Sequence, residues 1–252
     1  MKLRRSYVEK PWGRTDLPPQ FDAPADRKIG EIWFTGDTDL SLLAKYIFTS
    51  ERLSIQVHPG DEQARVRGLP HGKTECWYVL EAESGSTIGL GLKREVSEGE
   101  LKAAALDGSI EQLMDWRPVR AGDFFFVPAG TIHAIGGGLS LLEFQQNSDV
   151  TYRLYDYGRP RELHVEDAVA VARREPCQRE SGHGEGVLID GPFFTLIHGR
   201  EDTLRERQRW VLPLEGQVQS RSDVAGPGEC LLLEPGETLL SEGARMLVGA
   251  SV

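Results

Sequence analysis

The sequence predicts a mainly β protein, an antiparallel barrel or sandwich that carries a small helical insertion. Between residues 29 and 155, short runs rich in Val, Ile, Phe, Trp and Tyr alternate with Gly, Pro, Asp and Ser, the pattern of strands joined by turns. The chain has 252 residues, of which 39% are hydrophobic. That is enough for one large β domain, or two modest ones, with a real core.

The order of these runs gives the expected elements. Strands are predicted near residues 29–34, 44–49, 53–58, 75–81, 86–91, 124–127, 132–136, 139–146 and 151–155. The pattern breaks over residues 97–116, where Ser97 with Glu100 and Ser109 with Gln112 form two capping boxes. Each box opens a segment with leucines at helical spacing, so we expect two short helices inserted in the β domain.

A boundary is expected after the β-rich region. A short helix is predicted over residues 165–174, whereas residues 175–186 are polar, contain glycine and lack periodicity, as linkers do. We therefore expect a first domain over residues 1–174, a linker over residues 175–186, and a second β unit over residues 187–252.

Composition limits the function classes. The net charge is −10 and no Lys/Arg-rich run is present, which argues against nucleic-acid binding. The basic start of the sequence leads into no apolar signal core, and no stretch is long enough to cross a bilayer. The three cysteines lack C-x-x-C spacing, which favours a reducing compartment. A soluble, cytoplasmic protein without a membrane partner is expected.

Two segments predict the halves of a metal site. Gln56 and His58 share one face of a strand, because side chains at i and i+2 point the same way. Residues 122–133 form a Gly-Asp turn, an apolar strand, a Pro-Ala-Gly turn and then His133, which matches the second cupin motif, G-x5-P-x-G-x2-H. The barrel is therefore expected to be a cupin jelly roll.

A third segment adds charge to the candidate site. Lys73 and Glu75 share one face of an apolar strand, and a charged pair there calls for a metal and an anionic ligand. Two imidazoles, a carboxylate and an amide oxygen suit Zn²⁺, with Mn²⁺, Fe²⁺ or Co²⁺ as alternatives. A lone histidine is usually a hydrogen-bonded residue, but the joint pattern favours a metal.

A polar cluster follows over residues 143–159. Its mixture of Gln, Asn, Asp, Arg and Tyr at a strand end is costly to bury and predicts a ligand-binding rim. The planar fork of Arg153 suits a phosphate or an oxyanion. An exposed loop with aromatic packing is the alternative.

The second β unit contains a possible copy of an earlier segment. Residues 122–130 align with residues 228–236 at identical glycine spacing. The alignment predicts a degenerate cupin-like unit without metal ligands, and hence one metal per chain. The alternative is two hairpins that share turn residues by chance. Continued toward the C-terminus, the alignment pairs His133 with Leu239. A looser alignment of Trp77 with Trp210 pairs Glu75 with Gln208.

Across residues 7–172 the sequence resembles the type I mannose-6-phosphate isomerases in their compact bacterial form, which are cupins. The resemblance lies in Lys10–Gly13, Gly30–Trp33, Ser54–Pro59, Gly72–Tyr78, Pro128–Gly136 and Glu143–Arg159. It implies a metal set of Gln56, His58, Glu75 and His133, and it places the family's essential arginine on Arg153 and its active-site lysine on Lys73. It also implies that Trp12 and Ser54 contact the substrate. The chain departs from the family in being short after Val187.

The resemblance further implies a reaction. It would be the interconversion of mannose 6-phosphate and fructose 6-phosphate through a cis-enediol, with a sugar phosphate as the partner molecule. Proton transfer then needs a base, for which Lys73 and Glu143 are both candidates, and a positive group at the developing oxyanion. Two alternatives stay open: another metal-dependent cupin enzyme, such as an oxygenase or a different sugar isomerase, and a carbohydrate-binding regulator without turnover.

Overall fold

The computed structural model describes residues 1–177 and 181–252. Its first 12 strands are β1 Arg4–Arg14, β2 Ile29–Thr35, β3 Leu42–Thr49, β4 Ile55–Val57, β5 Glu75–Ala82, β6 Thr87–Leu92, β7 Met114–Pro118, β8 Asp123–Val127, β9 His133–Ile135, β10 Leu139–Gln146, β11 Tyr152–Tyr155 and β12 Ser181–His183. Between them lie the helices α1 Asp61–Val66, α2 Glu98–Asp107, α3 Ile110–Leu113 and α4 Val165–Val171, and a short 3₁₀ helix at Pro19–Phe21.

These strands form two facing antiparallel sheets. The larger has the order β1-β2-β3-β10-β5-β8-β12, and the smaller has the order β11-β4-β9-β6-β7. Alternating side chains from both sheets fill the space between them, where Trp77, Leu90 and Ile135 belong to one buried cluster. The predicted β fold with its helical insertion is therefore confirmed, although β1, β7, β12 and α1 were not predicted. Strand β12 lies within the expected linker and pairs with β8.

The helical insertion begins as predicted but ends early. Ser97 accepts a hydrogen bond from the backbone N–H of Glu100, and α2 closes at Gly108 with φ of 82°. The second capping box is wrong, because Ser109 itself has helical angles and its side chain caps nothing. The helix it was expected to open has four residues, and β7 starts at Met114.

The remaining strands build a second unit. They are β13 Gly186–Asp190, β14 Phe194–Gly199, β15 Arg209–Glu215, β16 Val218–Gln219, β17 Val224–Ala225, β18 Leu231–Leu233 and β19 Arg245–Ser251. Five of them form a sheet of order β13-β14-β19-β15-β18, and β16 pairs with β17. Residues 178–180 of the expected linker lie outside the described residues.

The second unit packs on the outer face of the larger sheet. Phe144 contacts Gly249 so closely that a Cβ at that glycine would lie 2.3 Å from the ring. The N-terminus adds a hydrogen bond between the units, because the backbone N–H of Leu3 donates to the carbonyl of Cys230 at 2.9 Å. In the described part of the chain, no helix is both long and apolar enough to cross a membrane.

Candidate metal centre and its cavity

Three strands bring the predicted metal ligands together between the sheets. Gln56 on β4 pairs with His133 on β9, His58 follows the end of β4, and Glu75 begins β5. His58 Nε2 lies 3.3 Å from one oxygen of Glu75, and His133 Nε2 lies 3.4 Å from the other. His58, Glu75 and His133 are each only 1% exposed. In the described residues they form the one group of His, Cys, Asp and Glu that could hold a metal.

Backbone carbonyls fix the tautomer of both imidazoles. His58 Nδ1 lies 2.7 Å from the carbonyl oxygen of Val150, and His133 Nδ1 lies 2.8 Å from that of Thr131. A carbonyl oxygen only accepts, so each Nδ1 carries the proton and donates it. Both Nε2 lone pairs therefore face the Glu75 carboxylate, which is the orientation of histidines that bind a metal.

Burial sets the charges of the three groups. It lowers the pKa of His58 to about 3, with help from the Lys73 ammonium, and it lowers the pKa of His133 as well. Burial alone would raise the pKa of Glu75, but Lys73 and His58 lower it well below its usual range. The site thus presents two neutral imidazoles and one carboxylate at neutral pH. Metal ligands must be in these forms, so the donor set fits a divalent ion.

The fourth predicted ligand, Gln56, contacts two neighbours through its amide. Its Nε2 lies 3.2 Å from His133 Nε2, and its Oε1 accepts a hydrogen bond from the Ser54 hydroxyl at 3.0 Å. Ser54 is buried beside Gln56. Its contact with the substrate, which the resemblance implies, stays a prediction.

Lys73 and Glu143 lie beside the ligands, as predicted. Lys73 Nζ is 2.7 Å from Glu75 Oε2 and 3.6 Å from Glu143 Oε1. Glu143 also accepts a hydrogen bond from the indole of Trp77 at 2.9 Å. Burial and the Glu75 carboxylate raise the pKa of Glu143, against the opposing effect of Lys45 and Lys73. A carboxylate and an ammonium group thus meet next to the candidate metal.

Sequence reasoning missed the charges that continue this network. Lys45 on β3 is buried, with its Nζ 2.9 Å from Glu143 Oε1 and 3.8 Å from Glu31 Oε2. Glu31 on β2 is paired further out with Lys10 at 3.4 Å. The signal was present, because Lys45 is a lone charge within the otherwise apolar run of β3.

An open cavity of about 430 Å³ leads from this network to the surface. Trp12, Ser54, Gln56, Lys73 and Glu143 are among the residues that line it. A larger cavity of about 560 Å³ lies between the two units and shares none of these residues. Because the titratable groups converge in the smaller cavity, we regard that one as the candidate active site.

Arg153 lines the same cavity, on β11. Its Nε donates to the carbonyl oxygen of Glu162 at 2.9 Å, which fixes the stem of the guanidinium. The nearby Asp156 is neutralised by Arg159 and Arg161. Within the described residues, no carboxylate lies within 4 Å of the Arg153 guanidinium, so its outer nitrogens can bind an anion.

The fold and the donor set define a cupin with a candidate metal centre. Comparison with known proteins then makes the class more specific. The chain is 42% identical over 168 residues to a mannose-6-phosphate isomerase of Streptococcus mutans, and 44% identical over 170 residues to the mannose-6-phosphate isomerase ManA of Bacillus subtilis. No protein-family model matches the sequence. The resemblance found in the sequence motifs is thus confirmed by homologues with that name.

The extent of these matches differs between sequence and structure. The two sequence matches each cover 62% of this chain and 53% and 54% of the relatives. The chain therefore spans about half the length of the curated relatives it matches. The crystal structure of the mannose 6-phosphate isomerase from Bacillus subtilis superposes with a TM-score of 0.82 over 98% of each chain, at 26% identity. The structural match therefore extends over both units.

Proposed function

We propose that this protein is a metal-dependent aldose-ketose isomerase that interconverts mannose 6-phosphate and fructose 6-phosphate through a cis-enediol. One observation carries the proposal: a buried His-Glu-His donor set adjoins a lysine-carboxylate pair, Lys73 and Glu143, that lines a cavity. The names of the relatives supply the substrate. A pocket that only bound a sugar would need neither the donor set nor a buried proton-transfer pair.

The metal would be held by Gln56, His58, Glu75 and His133, one ion per chain. Zn²⁺ suits two imidazoles, a carboxylate and an amide, and Mn²⁺, Fe²⁺ and Co²⁺ are the alternatives for a site without thiolates. When bound, the ion supplies a Lewis acid that polarises oxygens of the sugar.

Glu143 is the group we propose as the base. It removes the proton from C2 of the open-chain aldose, the hydroxyl proton passes from O2 to O1, and Glu143 returns the carbon proton to C1. Its raised pKa makes this carboxylate a stronger base than an exposed one. Lys73 remains paired with Glu75 and Glu143, so its charge can stabilise the enediolate. In the alternative, Lys73 is the base, and the positive charge at the enediolate must come from another group such as Arg153.

Arg153 and Trp12 would bind the remainder of the substrate. Arg153 lines the cavity and offers a planar fork, which suits the phosphate or the developing oxyanion. The Trp12 ring forms part of the cavity wall and gives the sugar an apolar face to pack against.

The direct test is to incubate the purified protein with mannose 6-phosphate, with and without a chelator, and to assay fructose 6-phosphate. We expect product only with metal, equally in the presence and absence of O₂, because aldose-ketose exchange consumes none. His133→Ala should abolish it, whereas His71→Ala, at an exposed histidine outside the cavity, should not. A metal-loaded protein without product would refute the isomerase proposal, and activity that requires O₂ would favour an oxygenase.

A further inference from the structure

The amide of Gln56 lies between an acceptor, the ring nitrogen of His133, and a donor, the hydroxyl of Ser54. On one side, His133 Nε2 has a bare lone pair, because Nδ1 of the same ring donates to the carbonyl of Thr131. The Gln56 N–H group therefore donates to that lone pair at 3.2 Å. On the other side, the Ser54 hydroxyl donates to Gln56 Oε1 at 3.0 Å. In this orientation the amide hydrogen covers the lone pair that a metal needs.

A half-turn of the amide reverses both contacts. The carbonyl oxygen then faces the centre formed by His58, Glu75 and His133, and the NH₂ group faces Ser54. A hydroxyl group has one donor and two acceptor sites, so Ser54 can accept from the NH₂ group as readily as it donates to the oxygen. A threonine would serve as well as a serine, whereas a residue without a hydroxyl could hold neither orientation.

The half-turn also releases a proton donor. While Ser54 donates to Gln56, its hydroxyl hydrogen is engaged. When Ser54 accepts from Gln56, that hydrogen is free, and Ser54 lines the cavity together with Lys73 and Glu143. An oxygen of a sugar bound there could then accept it.

We propose that Ser54 is a positioning residue that orients the Gln56 amide for the metal and thereby couples metal binding to substrate binding. Metal binding turns the Gln56 oxygen inward, and the freed Ser54 hydroxyl donates to the sugar. The coupling to the sugar rests on the proposed isomerase function, whereas the effect on the metal does not.

The metal half is tested by titrating the chelated protein with Co²⁺ and recording both the heat and the visible absorption of the bound ion. We expect Ser54→Ala to weaken Co²⁺ binding about 10- to 100-fold at unchanged stoichiometry, as loss of an outer-shell partner does. Ser54→Thr should bind nearly as the parent protein does. Ser140→Ala is the matched control, because Ser140 is a buried serine outside the cavity. Unchanged Co²⁺ affinity in Ser54→Ala would overturn the inference.

A double-mutant cycle separates orientation from general damage. In Gln56→Glu the ligand has two equivalent oxygens, so no partner is needed to choose between them. Removing Ser54 from that background should cost little further affinity, and the coupling between the two positions should therefore be large. Equal losses in the glutamine and glutamate backgrounds would contradict an orienting role.

The substrate half is read from KM at saturating Co²⁺. Ser54→Ala should raise the KM for mannose 6-phosphate, while Ser54→Thr and Ser140→Ala should leave it near the parent value. An unchanged KM together with weakened Co²⁺ binding would refute the coupling and retain the positioning role. If the parent protein makes no fructose 6-phosphate, the isomerase proposal fails, and the Co²⁺ titration still decides the role of Ser54.

Discussion

The two units of the molecule build the same sheet and use it differently. The order β2-β3-β10-β5-β8 in the first unit reappears as β13-β14-β19-β15-β18 in the second. The turns that flank β8 have glycines with φ of 88° and 86° at Gly122 and Gly130, and those that flank β18 have 86° and 78° at Gly228 and Gly236. Left-handed angles at the same spacing explain why glycine recurs there. We infer that residues 187–252 are a second, degenerate copy of the fold.

The difference lies in the connection that precedes the central strand. In the first unit, β3 reaches β5 through residues 50–74, which include β4 with Gln56 and His58. In the second, β14 reaches β15 through residues 200–208, which form no strand. The described residues of the second unit therefore contain no counterpart of the Gln-x-His strand.

An arginine takes the place of the glutamate. Glu75 pairs with Val127 in β8, and Arg209 pairs with Leu233, the residue equivalent to Val127, in β18. Arg209 is fully buried and forms a salt bridge with Asp202, from the short connection, at 2.7 Å. The second unit thus has an internal ion pair at the position where the first unit has a candidate metal ligand, and its short connection supplies the partner.

The largest expected effect comes from replacing Glu75 by arginine, the residue at the equivalent position of the second unit. Glu75→Arg places a cation where the site needs a carboxylate, so we expect metal content to fall from one ion per chain to near zero and turnover to disappear. Metal analysis of the purified variant measures the first, and the coupled isomerase assay measures the second. Circular dichroism checks folding. A Glu75→Arg variant that keeps one ion per chain would show that the carboxylate is not needed to bind the metal.

The reciprocal change concerns the ion pair. Arg209→Met leaves the Asp202 carboxylate without its partner in a mostly buried position, which we expect to cost about 3–5 kcal/mol of unfolding free energy in urea. Metal content should not change. Arg221→Met, at an exposed arginine, should cost less than about 0.5 kcal/mol, and Arg209→Met with Asp202→Leu should cost less than Arg209→Met alone. A loss no larger than that of the control would show that the pair is dispensable.

A smaller effect is expected from acidification, which should destabilise the first unit through its buried His58. The pKa of His58 is lowered from about 6.5 to about 3, so the unfolded chain takes up a proton below pH 6.5 that the folded protein refuses until about pH 3. The unfolding free energy of the metal-free protein should therefore fall as the pH drops through that window. The slope is about 1.4 kcal/mol per pH unit for each imidazole that is charged only in the unfolded state.

Other groups modify this slope, and variants identify its source. The raised pKa of Glu143 acts in the opposite sense: its stabilising effect is present below pH 4.5 and is lost as the pH rises through the folded pKa. His58→Gln should flatten the urea-derived profile between pH 6.5 and 4.5, whereas His71→Gln, at an exposed position, should not. If the profile of His58→Gln runs parallel to that of the parent protein, the His58 imidazole does not cause the fall in unfolding free energy.

The sequence predicted most of the strands, the helical insertion and the residues that meet in the candidate metal centre, because turn glycines, capping residues and side-chain alternation are local signals. Alignment on tryptophan was wrong by one residue, since it paired Trp77 with Trp210 and so Glu75 with Gln208. Trp77 faces the space between the first two sheets, whereas Trp210 packs, like Cys76, between the units. A shift of one residue reverses the face of a strand, and only the pairing register reveals it.

The charge network shows the other limit of the sequence. Glu31, Lys45 and Glu143 lie on different strands, and their contact depends on the order β2-β3-β10, which no local pattern specifies. Lys45 could have been flagged as a buried charge, but its partners could not have been named.

The smallest effect we predict concerns Arg153 on the smaller sheet of the first unit. In the second unit only the pair β16-β17 lies outside the main sheet. Arg153 lies on β11, beside β4, and touches none of the metal ligands through its guanidinium. Arg153→Ala should lower turnover of mannose 6-phosphate on the order of 100-fold, as loss of one donor to a developing charge does, and leave metal content unchanged. Arg153→Lys should recover part of the loss, because lysine keeps the charge but not the fork.

Unphosphorylated mannose then separates the two roles of Arg153. If the guanidinium binds the phosphate, the variant and the parent should turn mannose over at similar rates, and the defect with mannose 6-phosphate should appear mainly in KM. If it stabilises the enediolate, both substrates should lose kcat alike. Near-normal turnover of mannose 6-phosphate would remove Arg153 from the site, and the reaction would then depend on Lys73, Glu143 and the candidate metal ligands around Glu75.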